Sequence, residues 1–251
     1  MYKGGEESMW TEEEKHFLEE RFRFLIKEPG QGDIRLSGLT DPDQLNRFLK
    51  ESREKICSDK PKVAGSIFMK RYAFLLGGAL ASWSIFRKVP SLQAVEAQFL
   101  HYGNDGKWLP KFEVGTSLSE SGTPDEWIRH TGEVAAALKK ATKLSDLIIW
   151  ENVFIRVFSL YELIQNDQTL IDIQERAKAD FEWLLGNEQA PLFGDYNNNP
   201  LARYSQTKVK VEERDEKIRP RMTCCFSYLL DKPGAKNCKT CPKTCVPVKE
   251  K

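Results

Sequence analysis

The sequence predicts a mainly α-helical fold of the α+β class, with a small antiparallel β element and an irregular, cysteine-rich C-terminal end. Three observations carry this expectation. Apolar residues recur at helical spacing in several long stretches, most of them opened by a capping residue or a first-turn proline. One Asn104-Asp105-Gly106 tripeptide stands between two strand-like runs, which is a hairpin signal. Five of the six cysteines crowd into residues 224–245, beyond the last periodic stretch. The predicted organisation is a helical body over 1–207, with a β-hairpin near 92–114, and a C-terminal cysteine segment over 208–251.

Each element has its own signal. Over 11–27, Thr11 and Glu14 have capping-box spacing, and Phe17, Leu18, Phe22, Leu25 and Ile26 follow at helical intervals. Gly30-Gln31-Gly32-Asp33 breaks that helix. Asp41-Pro42-Asp43 starts a second helix reaching about 55, since proline is tolerated in a first turn. A third helix covers about 64–86. Its uncharged run, 72–86, is 15 residues long, whereas a membrane helix needs roughly 20, so it predicts a core helix. Within it, Gly77-Gly78 suits close packing of another element. Strands over 92–102 and 107–114 flank the hairpin turn, and a loop covers 119–122. Thr123-Pro124-Asp125-Glu126 supplies an N-cap, a first-turn proline and an N3 glutamate for a helix to 143. Two more helices follow, over about 145–164 and 170–185, the latter closed by Gly186. An Asn-rich connection over 194–200 and a polar stretch over 208–217 lead into the cysteines.

Composition narrows the function classes. A hydrophobic content of 40% with 30% charged residues describes an ordinary globular chain. A net charge of +1 argues against a dedicated nucleic-acid binder. The average hides an asymmetry: residues 208–251 hold 12 Lys and Arg against 6 Asp and Glu, which is +6 and leaves −5 for the rest. The polar, acidic start carries no apolar leader, so the expected compartment is the cytoplasm, where disulfides are rare.

The cysteines read Cys224-Cys225, then Cys238-x2-Cys241-Pro242-x2-Cys245. Thiolate sulfur is the shared ligand of structural zinc and of iron–sulfur clusters. Zinc sites usually draw four thiolates from two C-x2-C-like knuckles. The second pair here fits that scheme; the adjacent first pair projects in divergent directions and does not. A [2Fe–2S] cluster spreads its ligands over two irons and accommodates the unusual pair more easily. Spacing alone thus favours a cluster while leaving open a zinc staple or an unligated redox thiol group.

The stretch from Arg221 through Cys224-Cys225-x2-Tyr228 to Cys238-x2-Cys241-Pro242 resembles the C-terminal signature of FhuF-like siderophore-iron reductases. More loosely, the Tyr72 region and Trp150-Glu151-Asn152-Val153 are similar to that family's helical domain. The resemblance implies a [2Fe–2S] cluster on Cys224, Cys225, Cys238 and Cys241, with Cys245 the spare thiol. It implies an oxidoreductase that passes one electron to Fe(III) in a hydroxamate-type or related siderophore and releases Fe(II) in the cytoplasm. No side chain then need act as acid, base or nucleophile. The chain has no dinucleotide, P-loop or flavin fingerprint, so electrons are expected from a separate donor such as a ferredoxin or flavoprotein reductase. The alternatives are a zinc-stapled binding or regulatory protein, or an iron–sulfur redox sensor.

Cations around the cysteines, Arg219, Arg221, Lys236, Lys239 and Lys243, are expected to offset cluster charge and attract an anionic chelate. Asn152 and Arg156, four apart on one helix, are further candidate ligand contacts. A groove between the helical body and the cysteine end is the expected docking place. Tyr228 is expected to pack near the cysteines. Arg71 and Tyr72 read as helix residues, and His16, His101, His130 and Cys57 show no metal-ligand spacing.

Overall fold

Caps decide where the first helix begins and ends. The structure, a computed structural model, describes residues 10–27, 34–92, 98–102, 108–114, 122–212 and 214–248. Helix α1 (Glu12–Phe22) opens at Thr11, which exchanges hydrogen bonds with Glu14 in the expected capping box. It closes at Arg23, which adopts a left-handed φ of 58°. The helix therefore stops short of 27, and β1 (Phe24–Ile26) follows as a strand with every residue buried. Three consecutive buried residues need cover on both sides, which a sheet strand receives and a one-faced surface helix does not.

The next helices follow their start signals closely. After α2 (Leu36–Leu39), α3 (Pro42–Glu51) is capped by Asp41, whose carboxylate accepts from the Asp43 and Gln44 amides at 2.9 and 2.8 Å. The chain breaks at Ser52 before α4 (Arg53–Ile56), so the expected helix to 55 is two pieces. The long α5 (Pro61–Ala81) runs on through a π-turn, Ser82–Phe86. Nearly all of α5 is buried, chiefly against the later α6 and α7. Gly78 is required there: a Cβ would lie 2.4 Å from the Phe24 ring of β1.

Strands β2 (Gln98–Tyr102) and β3 (Leu109–Val114) pair antiparallel, from Gln98↔Glu113 to Tyr102↔Leu109, as the hairpin signal predicts. The turn itself, 104–106, lies outside the described residues, as do the break at 30–33 and the loop at 119–121. The sheet order is β1-β3-β2, with β1 parallel to β3 through Phe24↔Phe112 and Ile26↔Val114. The β element is thus mixed rather than purely antiparallel. The reason is the long helical crossover between β1 and the hairpin, which returns the chain in the same direction. Pro110 fits in central β3 because β1 pairs only from Phe112 onward, where an amide is needed.

Helices α6 (Pro124–Thr142), α7 (Asp146–Asn166) and α8 (Gln174–Leu185) complete the body. Ser145 caps α7 by accepting from the Leu147 amide at 3.3 Å. Thr123 makes no side-chain cap, and Glu126 accepts from the Leu92 amide instead, at 3.3 Å. A 3-10 turn, Gln168–Ile173, precedes α8, which Gly186 ends in an extended rather than left-handed conformation. Among the described residues, no helix is long and apolar enough to cross a membrane.

Beyond residue 207 regular structure gives way to short bridges. Val209 pairs with Ile218, and Val211 with Pro247, so the polar stretch folds back on itself and catches the end of the described chain. The cysteines lie in the loop between those two ties.

Candidate metal centre

The residues preceding the cysteine pair are pinned to α7. Arg221 is buried, and its guanidinium meets the Glu151 carboxylate at 3.2 Å and the Asn152 carbonyl oxygen at 2.8 Å. Glu151 also accepts from the Met222 amide at 2.5 Å, from the Thr223 amide at 3.0 Å and from the Thr223 hydroxyl. Each oxygen of a buried carboxylate is thus satisfied, as burial of a charge demands. From α5, the Ser66 hydroxyl donates to the Cys225 carbonyl at 2.9 Å, and the Asn152 amide nitrogen donates to both Ser66 oxygens at 3.1 Å. Two packed helices therefore fix the backbone from Arg221 to Cys225.

A single backbone bond brings the second cysteine pair alongside: the Arg221 amide donates to the Thr240 carbonyl at 2.8 Å. The Cys241 amide donates to the Cys238 carbonyl at 3.0 Å, closing the C-x2-C turn. In this arrangement the Cys238 thiol donates to Cys225 sulfur. That bond, with the Lys70 ammonium, the Ser227 hydroxyl and the Arg221 charge, holds the Cys225 thiol well below its usual range despite burial. Lys70 stands 3.5 Å from that sulfur and 3.0 Å from Ser227 Oγ. Cys238 is pushed up by donating the bond and by burial. The thiolate is the form that ligates metal, and Cys225 is the member of the pair biased towards it.

The other thiols sit close by. Cys224 sulfur accepts from the Phe226 amide at 3.5 Å, and Cys241 donates to Asn237 Oδ1 at 3.5 Å. Both lie within electrostatic range of the Lys243 ammonium, whose pKa is raised first by its bond to the Tyr228 hydroxyl at 2.7 Å. Cys245 is buried and donates to the Lys239 carbonyl at 3.3 Å. Among the described residues, no three His, Cys, Asp or Glu side chains converge closely enough to hold one metal ion. The cysteines are nevertheless gathered in one segment beside the Lys70 and Lys243 ammonium groups, which suits a thiolate-ligated group in kind.

A cavity of about 240 Å³ opens between α7 and the start of the cysteine segment, lined among others by Phe154, Phe158, Ser159, Arg219, Arg221 and Thr240. Arg219 is half-buried there, with its guanidinium 3.5 Å above the Phe158 ring and its Nε donating to the Gln206 carbonyl. Lys236, Lys239 and Lys243 are exposed. Arg221 and Asn152 are brought together, but inside the clamp rather than on an open surface. Arg156 points elsewhere: its guanidinium lies 3.6 Å over the Phe74 ring, with Nη1 donating to Ser159 Oγ at 3.5 Å.

The remaining candidates are dispersed. His16 is exposed beside Glu20, and His130 is buried between the Tyr72 hydroxyl at 2.7 Å and the Leu36 carbonyl at 3.2 Å. His101 lies in β2, paired with Pro110. Cys57 ends α4, and its carbonyl accepts from the Asp231 amide of the cysteine segment at 2.7 Å. Reading the sequence for chemistry missed Ser66, Lys70 and Glu151, because each looks like an ordinary helix residue. Glu151 alone carried a signal, a carboxylate inside the apolar run 147–155. In comparisons with protein families, curated proteins and solved structures, none matches the chain.

Proposed function

We propose that this is an iron–sulfur electron-transfer protein that reduces ferric siderophores or related ferric chelates, with Cys224, Cys225, Cys238 and Cys241 as the ligands of a [2Fe–2S] cluster. The observation that carries the reading is that Cys225 and Cys238, from the two halves of the motif, meet on a backbone clamped to α5 and α7. An adjacent cysteine pair facing a C-x2-C turn suits a two-iron centre, which takes two thiolates per metal, better than a single tetrahedral ion. When bound, the cluster would supply one electron to the ferric iron of a docked chelate, which leaves as Fe(II).

The chain's own part is to position and to neutralise. Lys70 and Lys243 offset thiolate charge from two sides, and the Cys224 sulfur already accepts an amide bond of the kind that tunes cluster sulfurs. The cavity beside Arg219 is the docking place that proximity favours. At about 240 Å³ it is smaller than the roughly 300–1,000 Å³ of ordinary small-molecule sites, so it takes an arm of a chelate rather than the whole. Arg219, Lys208 and Lys217 supply positive charge in its lining, where Glu162 and Glu216 also stand. A separate ferredoxin or flavoprotein is the donor in this scheme, and the cytoplasm its place of action.

Anaerobically purified protein tests the reading. The expected result is a coloured protein with two irons and two acid-labile sulfides per chain. Mixed after dithionite reduction with a ferric hydroxamate and an Fe(II) trap, it should reoxidise as trapped Fe(II) appears. Replacing Cys224, Cys225, Cys238 or Cys241 by serine should abolish the colour, whereas Cys245→Ser should keep it. Colourless protein carrying one zinc would overturn the proposal in favour of a four-cysteine staple.

A further inference from the structure

Three arginines from three elements gather on the α5–α7 side of the body, two of them over one aromatic ring. Arg23 closes α1, Arg71 lies on α5 and Arg156 on α7. The Arg156 guanidinium is 3.6 Å and that of Arg23 4.6 Å from the centre of the Phe74 ring. Each of the three has a buried guanidinium nitrogen with no hydrogen-bond partner: Arg23 Nη1, Arg71 Nε and Arg156 Nε. No carboxylate among the described residues lies near enough to favour their charge. Burial, and then the charge of their neighbours, instead pushes Arg71 and Arg156 down to about 10. All three residues keep part of their surface exposed, so the group lies close to the protein surface.

Such a grouping is costly as a purely structural device. Stacking on Phe74 cushions two of the cations but satisfies no N–H edge and removes no charge. Guanidinium groups present fixed forks of donors that match the oxygens of carboxylate and phosphate, and burial strengthens each such bond. A multiply charged oxyanion would satisfy the orphaned donors and cancel the mutual repulsion together.

We propose that Arg23, Arg71 and Arg156 form a binding site for a small polyanion presenting carboxylate or phosphate oxygens. The site stands independently of what the cysteines hold. It adjoins the cysteine clamp: Arg71 follows Lys70, which contacts Cys225, and Arg156 stands one helical turn beyond Asn152. A carboxylate-bearing ferric chelate and a free phosphate compound would engage the same forks.

Thermal-shift and calorimetric titration of the full chain with citrate, ferric citrate and inorganic phosphate test this, with sodium chloride at matched ionic strength as control. At least one of the three should raise the melting temperature saturably, beyond chloride. Arg71→Met and Arg156→Met should each weaken that anion at least tenfold, and Arg156→Lys, which keeps the charge but loses the fork, should weaken it less than Arg156→Met. Ferric citrate binding tighter than citrate and phosphate identifies a metal chelate as the natural occupant; phosphate binding tightest identifies a free phosphate compound. If a methionine variant does not fold, Arg156→Lys and Arg23→Gln carry the comparison. The proposal is overturned if all three anions act no differently from chloride, or if they stabilise the wild type and the folded variants alike.

Discussion

Two places one turn apart along α7, Asn152 with its partner Arg221 and Arg156 with its neighbours, handle arginine charge in opposite ways. Arg221 enters the protein with a carboxylate and an amide waiting for it, and every donor around Glu151 has a place. Arg156, four residues beyond Asn152, shares a ring with Arg23 and faces Arg71 with no acid between them. Both regions bury guanidinium nitrogen, yet only one is complete in itself. The first behaves as a fastening of the cysteine segment. The second has the incompleteness expected of a place that meets something else.

The sharpest way to break the contrast is to remove Arg221. Arg221→Met should leave the buried Glu151 carboxylate without its cation, a change that costs about 3–5 kcal/mol. The expected reading is a lowered urea midpoint together with faster amide exchange across 221–227, where Met222 and Thr223 lean on the same carboxylate. A double-mutant cycle with Glu151→Gln should return part of that loss, because the second change removes the stranded charge. Strict additivity of the two would show that the clamp is not a coupled unit.

Ser66→Ala tests the same fastening from α5 at a smaller scale. It removes the donor to the Cys225 carbonyl and one acceptor of the Asn152 amide, so about 1–2 kcal/mol should be lost. Exchange of the 222–227 amides should quicken while that of the α5–α6 core stays as it is. Uniform acceleration across the body would mean that Ser66 serves core packing instead.

The two regions also differ from what could be read along the chain. Helix starts were legible where a local rule sufficed: the Thr11–Glu14 box and the Asp41-Pro42 start act over two or three residues, whereas the cap expected of Thr123 does not form. The end of α1 was not legible, because Leu25 and Ile26 continue the helical spacing. What overrides that spacing is pairing with Phe112 and its neighbours, far along the chain. The mixed sheet was hidden for the same reason. At the candidate site the cysteines announced themselves by clustering, and Arg221 by standing next to them. Their helical partners did not, since Ser66 and Glu151 gain meaning only by meeting residues 159 and 71 positions or so away. The arginine group is the extreme case. Its members come from separate elements, and no spacing relates Arg23 to Arg71 or Arg156.

Salt distinguishes the two regions most gently. The Arg221–Glu151 pair is buried, so mobile ions hardly reach it. Repulsion within the partly open trio is screened by added salt, which should therefore stabilise the wild type through that region. Arg71→Met removes the arginine that faces both of the others. In a buffer free of phosphate and carboxylates it should flatten the rise of stability between low and moderate sodium chloride, by about 1 kcal/mol or less. Chemical denaturation with urea, which adds no ions, gives the measurement. The same series on Arg221→Met should run parallel to the wild type despite its far larger loss. If the Arg71→Met and wild-type curves instead stay parallel from low salt upward, the three guanidinium groups do not oppose one another in solution, and the unpaired nitrogens have found partners that leave no charge to screen.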